Sequence, residues 1–324
     1  MQMTTVIGID VGNFDIKSAH TSLPSGYTTA EMLPPDTDDY LFYNGKYYIP
    51  SQDRFPFRID KTVDERCLIF TLSAIGKELL YKAQKNGNID AYLSRIDNIV
   101  LGAGLPPAHY ATFVKKTKEY YMNAMSEGIE FEWNGHKISF TLKDVILYPQ
   151  DYTAVMTNKT SFEVVQNYQD GIVYAVDIGG GTVDYVPIVK GKPEMTKADS
   201  LEKGINIMCS DIIQKVMSNT GHKITAINIE NVLYEKNSVL PEETKKFIES
   251  EALNWSNLII DELRSKGMDL WANPAVFLGG GTKMLKRFLK MNEQLKHSTF
   301  IDSPNVNARA YEIAAKAALS AVGK

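Results

Sequence analysis

The same short pattern occurs twice in this chain. Val6-Ile7-Gly8-Ile9-Asp10-Val11-Gly12 and Val173-Tyr174-Ala175-Val176-Asp177-Ile178-Gly179 are both apolar runs that close on Asp-x-Gly. Each is followed by a turn and a second β-rich run, Ile16 to Thr21 in the first copy and Val183 to Val189 in the second. Laid on each other, Asp10 falls on Asp177 and Gly12 on Gly179. A single Asp-x-Gly is an ordinary strand-ending turn. Two copies in equivalent places, half a chain apart, point to two domains of common origin.

The residue types suit phosphate. A polyphosphate needs backbone N–H groups presented by a loop with no side chain in the way, and glycine permits both the approach and the positive-φ turns of such a nest. Gly12, Asn13 and Phe14 form one candidate loop, and Gly179, Gly180, Gly181 and Thr182 the other. An aspartate at each strand end, Asp10 and Asp177, suits the hydration shell of Mg²⁺, which prefers carboxylate oxygens and keeps several waters. Lys17, seven positions after Asp10, is placed on the returning strand to neutralise phosphate oxygens.

The rest of the chain fits an α/β protein of two domains. Residues 41–49 and 131–138 are β-rich arms around Asn44-Gly45 and Asn134-Gly135, strong hairpin signals. Residues about 30–65 read as a small inserted subdomain, framed by Pro34, Pro35, Pro50 and Pro56. Helical spacing runs from Leu68 to Lys85, from Pro106 to about Met125, near 204–219, near 241–266, from Thr282 to about Leu295 and from Asn307 to Val322. Ile96 to Leu101 reads as a central strand, Val145 to Leu147 as a short one and Ala275 to Leu278 as another. The expected domains are 1–165 with 302–324, and 166–301.

Composition bounds the function. The 324 residues carry a net charge of −4, with lysines scattered and no arginine-rich tail, so direct nucleic-acid binding is not expected. Two cysteines, Cys67 and Cys209, are too few for a disulfide framework and match no zinc spacing. They are expected to be reduced and buried. The first residues lack the pattern of a signal peptide. No apolar run approaches the ~18 residues of a membrane span, so a cytoplasmic protein without membrane contact is expected.

Residues 8–17, Gly-Ile-Asp-Val-Gly-Asn-Phe-Asp-Ile-Lys, resemble the first phosphate motif of the actin, heat-shock chaperone and sugar-kinase superfamily. Residues 177–184, Asp-Ile-Gly-Gly-Gly-Thr-Val-Asp, resemble its second. Phe277-Leu278-Gly279-Gly280-Gly281-Thr282-Lys283 resembles the adenosine motif, a strand, a glycine bend and a helix start capped by Thr282. It is not a dinucleotide fingerprint, because Gly-x-Gly-x-x-Gly is absent. Tyr148 to Ala154 resembles the first connecting segment and 307–318 the second connecting helix. The resemblance implies a two-domain actin-like fold built on an RNase H-like repeat, with ATP or GTP and Mg²⁺ between the domains. It implies that Gln150 orients the attacking water, with Asp151 as rival and a helix cap as the plainer use of Asp151. It adds Glu202, Lys203 and Lys283 as weaker nucleotide contacts.

Within the superfamily, Asn13, the Pro149-Gln150 pair and the small insertion look most like plasmid-segregating actin-like proteins of the ParM/StbA type. That implies an ATPase whose ATP-bound form polymerises, acting with a DNA-binding partition adaptor. The alternatives are a soluble sugar or acid kinase, for which Asp144 or Asp151 would be the base, and a non-polymerising nucleotide-binding regulator.

Overall fold

The computed structural model describes residues 3–56, 58–158 and 167–322. The chain divides into two compact units, Met1–Asn158 with Asn305–Lys324, and Lys159–Pro304. The expected boundary at 165/166 lies outside the described residues, and the chain re-enters the first unit at Asn305, where 302 was expected.

The first unit is built on strands β1 (Met3–Val11), β2 (Asp15–Ser18), β3 (Ser22–Pro24), β4 (Tyr27–Ala30), β5 (Leu41–Tyr43), β6 (Lys46–Pro50), β7 (Ile96–Leu105), β8 (Ile129–Trp133) and β9 (His136–Pro149). They form one nine-stranded path in the order β3-β2-β1-β7-β9-β8-β5-β6-β4. β1, β7 and β9 run parallel, with β2 antiparallel to β1. From Val6 to Ile9 β1 is an apolar run because both its faces are covered. Ile7 and Ile9 join the core that includes Ile69, Leu72, Ile75, Leu79 and Ala83 of helix Arg66–Asn86. Val6 packs with Val100 and Ala315, the last from helix Val306–Val322. Gly8 and its β7 partner Gly102 lie under that helix: a Cβ at Gly8 would collide with the Ala308 carbonyl, and one at Gly102 would lie 2.7 Å from that of Tyr311. The close approach of helix Val306–Val322 thus depends on missing side chains in the strands.

Both Asn-Gly pairs make tight turns at positive φ, Asn44 and Gly45 at 49° and 75°, Asn134 and Gly135 at 50° and 78°, as a type I′ hairpin requires. The two hairpins are not separate features. β5 pairs with β8, Leu41 opposite Trp133, so residues 27–50 and 129–140 share one sheet. β9 belongs to both halves of the path, pairing first with β8 and then with β7. The short strand expected at Val145 to Leu147 is therefore the end of a 14-residue strand.

The second unit repeats the plan with β10 (Ile172–Ile178), β11 (Val183–Val189), β12 (Lys192–Pro193), β13 (Asp199–Leu201), β14 (Ala275–Leu278) and β15 (Thr299–Phe300). β10 and β11 form the antiparallel hairpin, and β10, β14 and β15 run parallel, as β1, β7 and β9 do. Helices Ile205–Thr220, Ala226–Leu233, Glu242–Ser265 and Gly280–Leu289 accompany this sheet and share its core. Cys67 and Cys209 are both buried thiols. Among the described residues no helix is long and apolar enough to cross a membrane.

One buried charge ties the first hairpin to the chain's end. Glu78 is fully buried and accepts hydrogen bonds from Ser18 Oγ at 2.6 Å and the His20 backbone N–H at 3.1 Å. His20 Nδ1 lies 2.6 Å from its other oxygen, and Lys82, which also pairs with Glu312, lies 3.2 Å away. Burial alone would raise the Glu78 carboxyl, but the Ser18 and His20 hydrogen bonds with the Lys82 charge together hold it below its ordinary 4.5. The unfolded chain therefore takes up this proton first. The stabilisation is complete above about 4.5 and is lost as pH falls through the folded-state value. In urea unfolding, the wild-type midpoint is expected to fall more steeply below pH 4.5 than that of Glu78→Gln. Identical acid slopes would remove Glu78 from this account.

Candidate functional site

In the first unit β1 brings Asp10 to its C-terminal end, directly across from Lys17 on β2. Both are buried, at 7% and 8% exposure. The Gln150 side-chain amide donates to Asp10 Oδ1 at 3.2 Å. Three of the expected residues, far apart in sequence, are thus neighbours beside the loop Gly12-Asn13-Phe14. Asp15, on the far side of that loop, has its carboxyl pushed up by burial, an effect partly offset by the charges of Lys17 and Arg54.

Gln150 owes its position to an unusual backbone. Its own N–H donates to Leu105 O at 2.9 Å, extending the β7–β9 ladder by one bond. Asp151 follows at φ 64°, ψ −55°, and Tyr152 N–H donates back to Gln150 O at 2.5 Å. These are the marks of a γ-turn of the rare, strained kind. The expected capping role of Asp151 is corrected here: it occupies the position before helix Tyr152–Thr157, but its side chain makes no capping hydrogen bond, and the residue is completely buried. Strain of this sort persists only where the surroundings enforce it, and it gathers at functional sites. Asp144 instead forms an ion pair with Lys118 at 2.7 Å.

In the second unit Asp177 stands across from Asp184, the position that Lys17 holds in the first. The sequence already carried this signal, since Asp184 follows Asp177 by the same seven residues. Gly179 N–H donates to Thr182 O at 2.9 Å, closing the turn. Asp184 accepts from Thr182 Oγ1 at 2.9 Å and from Ser200 Oγ. The carbonyls of Gly179, Gly180 and Gly181 accept from the N–H groups of Ile205, Asn206 and Gly204 at 3.0, 2.8 and 3.2 Å. The start of helix Ile205–Thr220 is therefore spent on the back of the glycine turn. Gly204 has no room for a side chain there, because its Cβ would overlap the backbone of Gly180 and Gly181.

The glycines after β14 lean on the same turn. Gly279 has φ 91° and ψ 168°, a conformation essentially confined to glycine. A Cβ on it would collide with the Asp177 carboxylate, and one on Gly281 would lie 2.5 Å from Ile178 and Ile205 side chains. Here a second expectation is corrected: the residue before helix Gly280–Leu289 is Gly279, and Thr282 lies inside the helix, donating to Leu278 O at 2.5 Å. Among the weaker candidates, Lys283 Nζ lies 5.8 Å from the Tyr234 ring, Lys203 Nζ lies 5.8 Å from the Trp255 ring, and Glu202 is exposed.

For a metal, each hairpin offers one or two carboxylates, Asp10 in the first unit, Asp177 and Asp184 in the second. Among the described residues no group of three or more His, Cys, Asp or Glu forms a closed cage. Magnesium commonly uses just such a sparse, all-oxygen set, with phosphates and waters completing its shell, so these residues fit it.

The family model of the archaeal actin homologue MreB-like C-terminal domain matches residues 175–291. No curated protein sequence matches the chain. Among solved structures, the archaeal actin homologue Ta0583 is similar at 18% identity and TM-score 0.74, covering 97% of this chain and 99% of its own. Its complex with ADP matches at 19% identity, TM-score 0.67 and the same coverage. A ParM from Clostridium botulinum, solved as a 15-stranded filament, is 19% identical with TM-score 0.70, covering 97% of this chain and all of its own. A Bacillus thuringiensis ParM with ATP is 14% identical with TM-score 0.62, covering 97% and 98%. Over nearly its whole length the chain has the fold of these actin homologues, and residues 175–291 match the archaeal MreB-like C-terminal model.

Proposed function

We propose that this protein binds and hydrolyses ATP with Mg²⁺ and that ATP drives its assembly into filaments, which segregate plasmid DNA through a DNA-binding adaptor in the cytoplasm. The observation that carries the reading is the duplicated hairpin. Each unit presents a tight turn after a strand-ending aspartate, with its carbonyls anchored from behind. The two similar structures solved with ADP and with ATP, and the one solved as a filament, support it.

In this reading the N–H groups of Gly12 to Phe14 and of Gly179 to Thr182 bind phosphate oxygens, and Lys17 neutralises them. Asp10 and Asp177 hold the hydrated Mg²⁺, which neutralises phosphate charge when bound. Gln150, tethered to Asp10, orients the water. Phosphoryl transfer asks chiefly for such positioning and charge stabilisation. Contacts to the terminal phosphate supply a differential affinity through which nucleotide state biases assembly.

Sedimentation of the pure protein with Mg²⁺ tests this. Polymer is expected with ATP above a critical concentration and less with ADP, with phosphate release rising steeply at the same threshold. A protein that stays monomeric across salts, or whose turnover scales with an added hydroxyl or carboxylate acceptor, would count against the filament and favour a kinase.

A further inference from the structure

The first phosphate hairpin is held from behind by side chains that no motif contains. The Val11 carbonyl accepts a hydrogen bond from Lys61 Nζ. The Asn13 carbonyl lies 2.6 Å from Ser25 Oγ, and that of Phe14 lies 3.0 Å from the same hydroxyl, whose single proton they share. The Phe14 carbonyl also accepts from Ser25 N–H at 3.1 Å and Arg54 Nε at 2.9 Å. Arg54 is further fixed by its guanidinium, 3.5 Å above the Phe14 ring and 3.7 Å from Asp15. Ser25 is buried and the Arg54 side chain is only 17% exposed, so these are ordered contacts.

The consequence follows from peptide geometry. In a trans peptide the C=O and the next N–H point in opposite directions. Pinning the carbonyls of Val11 and Asn13 on one side therefore turns the N–H groups of Gly12 and Phe14 to the other. Among the described residues the Phe14 N–H is used in no hydrogen bond, and the Gly12 N–H sits on the turn side beside the Asp15 carbonyl. The Lys61 cation on the Val11 carbonyl also polarises that peptide and strengthens the Gly12 N–H donor, and Arg54 on the Phe14 carbonyl does the same for the next peptide's N–H, that of Asp15.

The second hairpin has the same job done differently. There the carbonyls of Gly179, Gly180 and Gly181 are pinned by three backbone N–H groups at a helix start. No side-chain substitution removes those donors directly. In the first hairpin the anchors are Lys61, Ser25 and Arg54, and all three are open to mutation.

We propose that Arg54, Lys61 and Ser25 are positioning residues for the nucleotide's phosphates: by holding the first hairpin's carbonyls from behind, they aim its N–H groups and set the affinity for the phosphate chain, leaving that for the nucleoside alone. This rests on the nucleotide-binding reading above.

The test is calorimetric titration of wild type, Lys61→Met, Arg54→Met and Ser25→Ala with ATP, ADP and adenosine. Each Met variant is expected to weaken ATP and ADP about tenfold, the scale of losing a charged hydrogen bond. Ser25→Ala is expected to weaken them several-fold, and adenosine is expected to bind all four proteins equally. Lys61→Arg, which keeps a cationic donor, restores most of the loss. ATP affinity unchanged in both Met variants overturns the inference, as does an equal loss for adenosine, which would mark general damage. If Ser25→Ala has no effect while both Met variants do, charge alone is responsible and the positioning role falls. A wild type that binds no nucleotide overturns the functional reading and this inference with it.

Discussion

Replacing Asp177 with alanine is expected to abolish Mg²⁺-dependent ATP hydrolysis, lowering turnover by about 10²–10³-fold or more, the scale for losing a preorganised electrostatic group. The residue does three jobs at once. It ends β10, it faces Asp184 across the hairpin, and its carboxylate fills the space over Gly279 that a side chain would otherwise take. Truncation therefore removes a carboxylate proposed to hold the metal and opens a gap under the glycine bend after β14. Asp177→Asn separates the two effects, since it keeps the shape and loses the charge. If the charge matters, Asn is nearly as damaging as Ala, and raising Mg²⁺ recovers part of the activity. Wild-type turnover in Asp177→Ala at saturating nucleotide would refute the assignment. Asp10→Ala is expected to behave similarly, with an added loss of order at Gln150, whose amide it holds.

The second large effect is expected at Gln150. Gln150→Ala is expected to keep nucleotide affinity within a few-fold and to slow hydrolysis by roughly 10²-fold, the cost of a misplaced reacting group. Single-turnover phosphate release and nucleotide titration on the same samples separate the two parameters. Asp151 is the control. It is completely buried in the γ-turn, whereas Gln150 is half-buried and bonded to Asp10. Should Asp151→Ala slow hydrolysis with Gln150→Ala near normal, the two roles must be exchanged.

Much of the two candidate hairpins was legible because their residue types lie close together in the chain. Asp-x-Gly at a strand end, glycine runs and the sevenfold offset to Lys17 are all short-range signals, and the structure places them in the two hairpins. β9 was read as two pieces for a specific reason. Ile138, Phe140 and Leu142 alternate in one phase and Val145 and Leu147 in the other, because the ladder with β7 skips Lys143. A one-residue bulge flips the phase of every later side chain, so one long strand looks like a hairpin arm and a separate fragment. Thr282 was misread as a cap because Gly279, in a backbone conformation reserved for glycine, starts the helix earlier. The γ-turn at Asp151 and the anchoring by Ser25, Arg54 and Lys61 left no periodic trace. They depend on loop side chains reaching backbone 11 to 50 positions away, which spacing rules do not encode.

The length of β9 has a mechanical consequence. Fourteen residues of strand span about 45 Å, from the Asn134-Gly135 turn to the residue before Gln150. The strand is paired along its length, first with β8 and then with β7. It cannot slip by a residue without exchanging its buried and exposed faces, so displacement at one end is carried elastically to the other. β9 is thus one continuous strand of covalent bonds from the Asn134-Gly135 turn to the residue before Gln150, so a displacement of the turn is carried along it to the glutamine without rearranging the core in between.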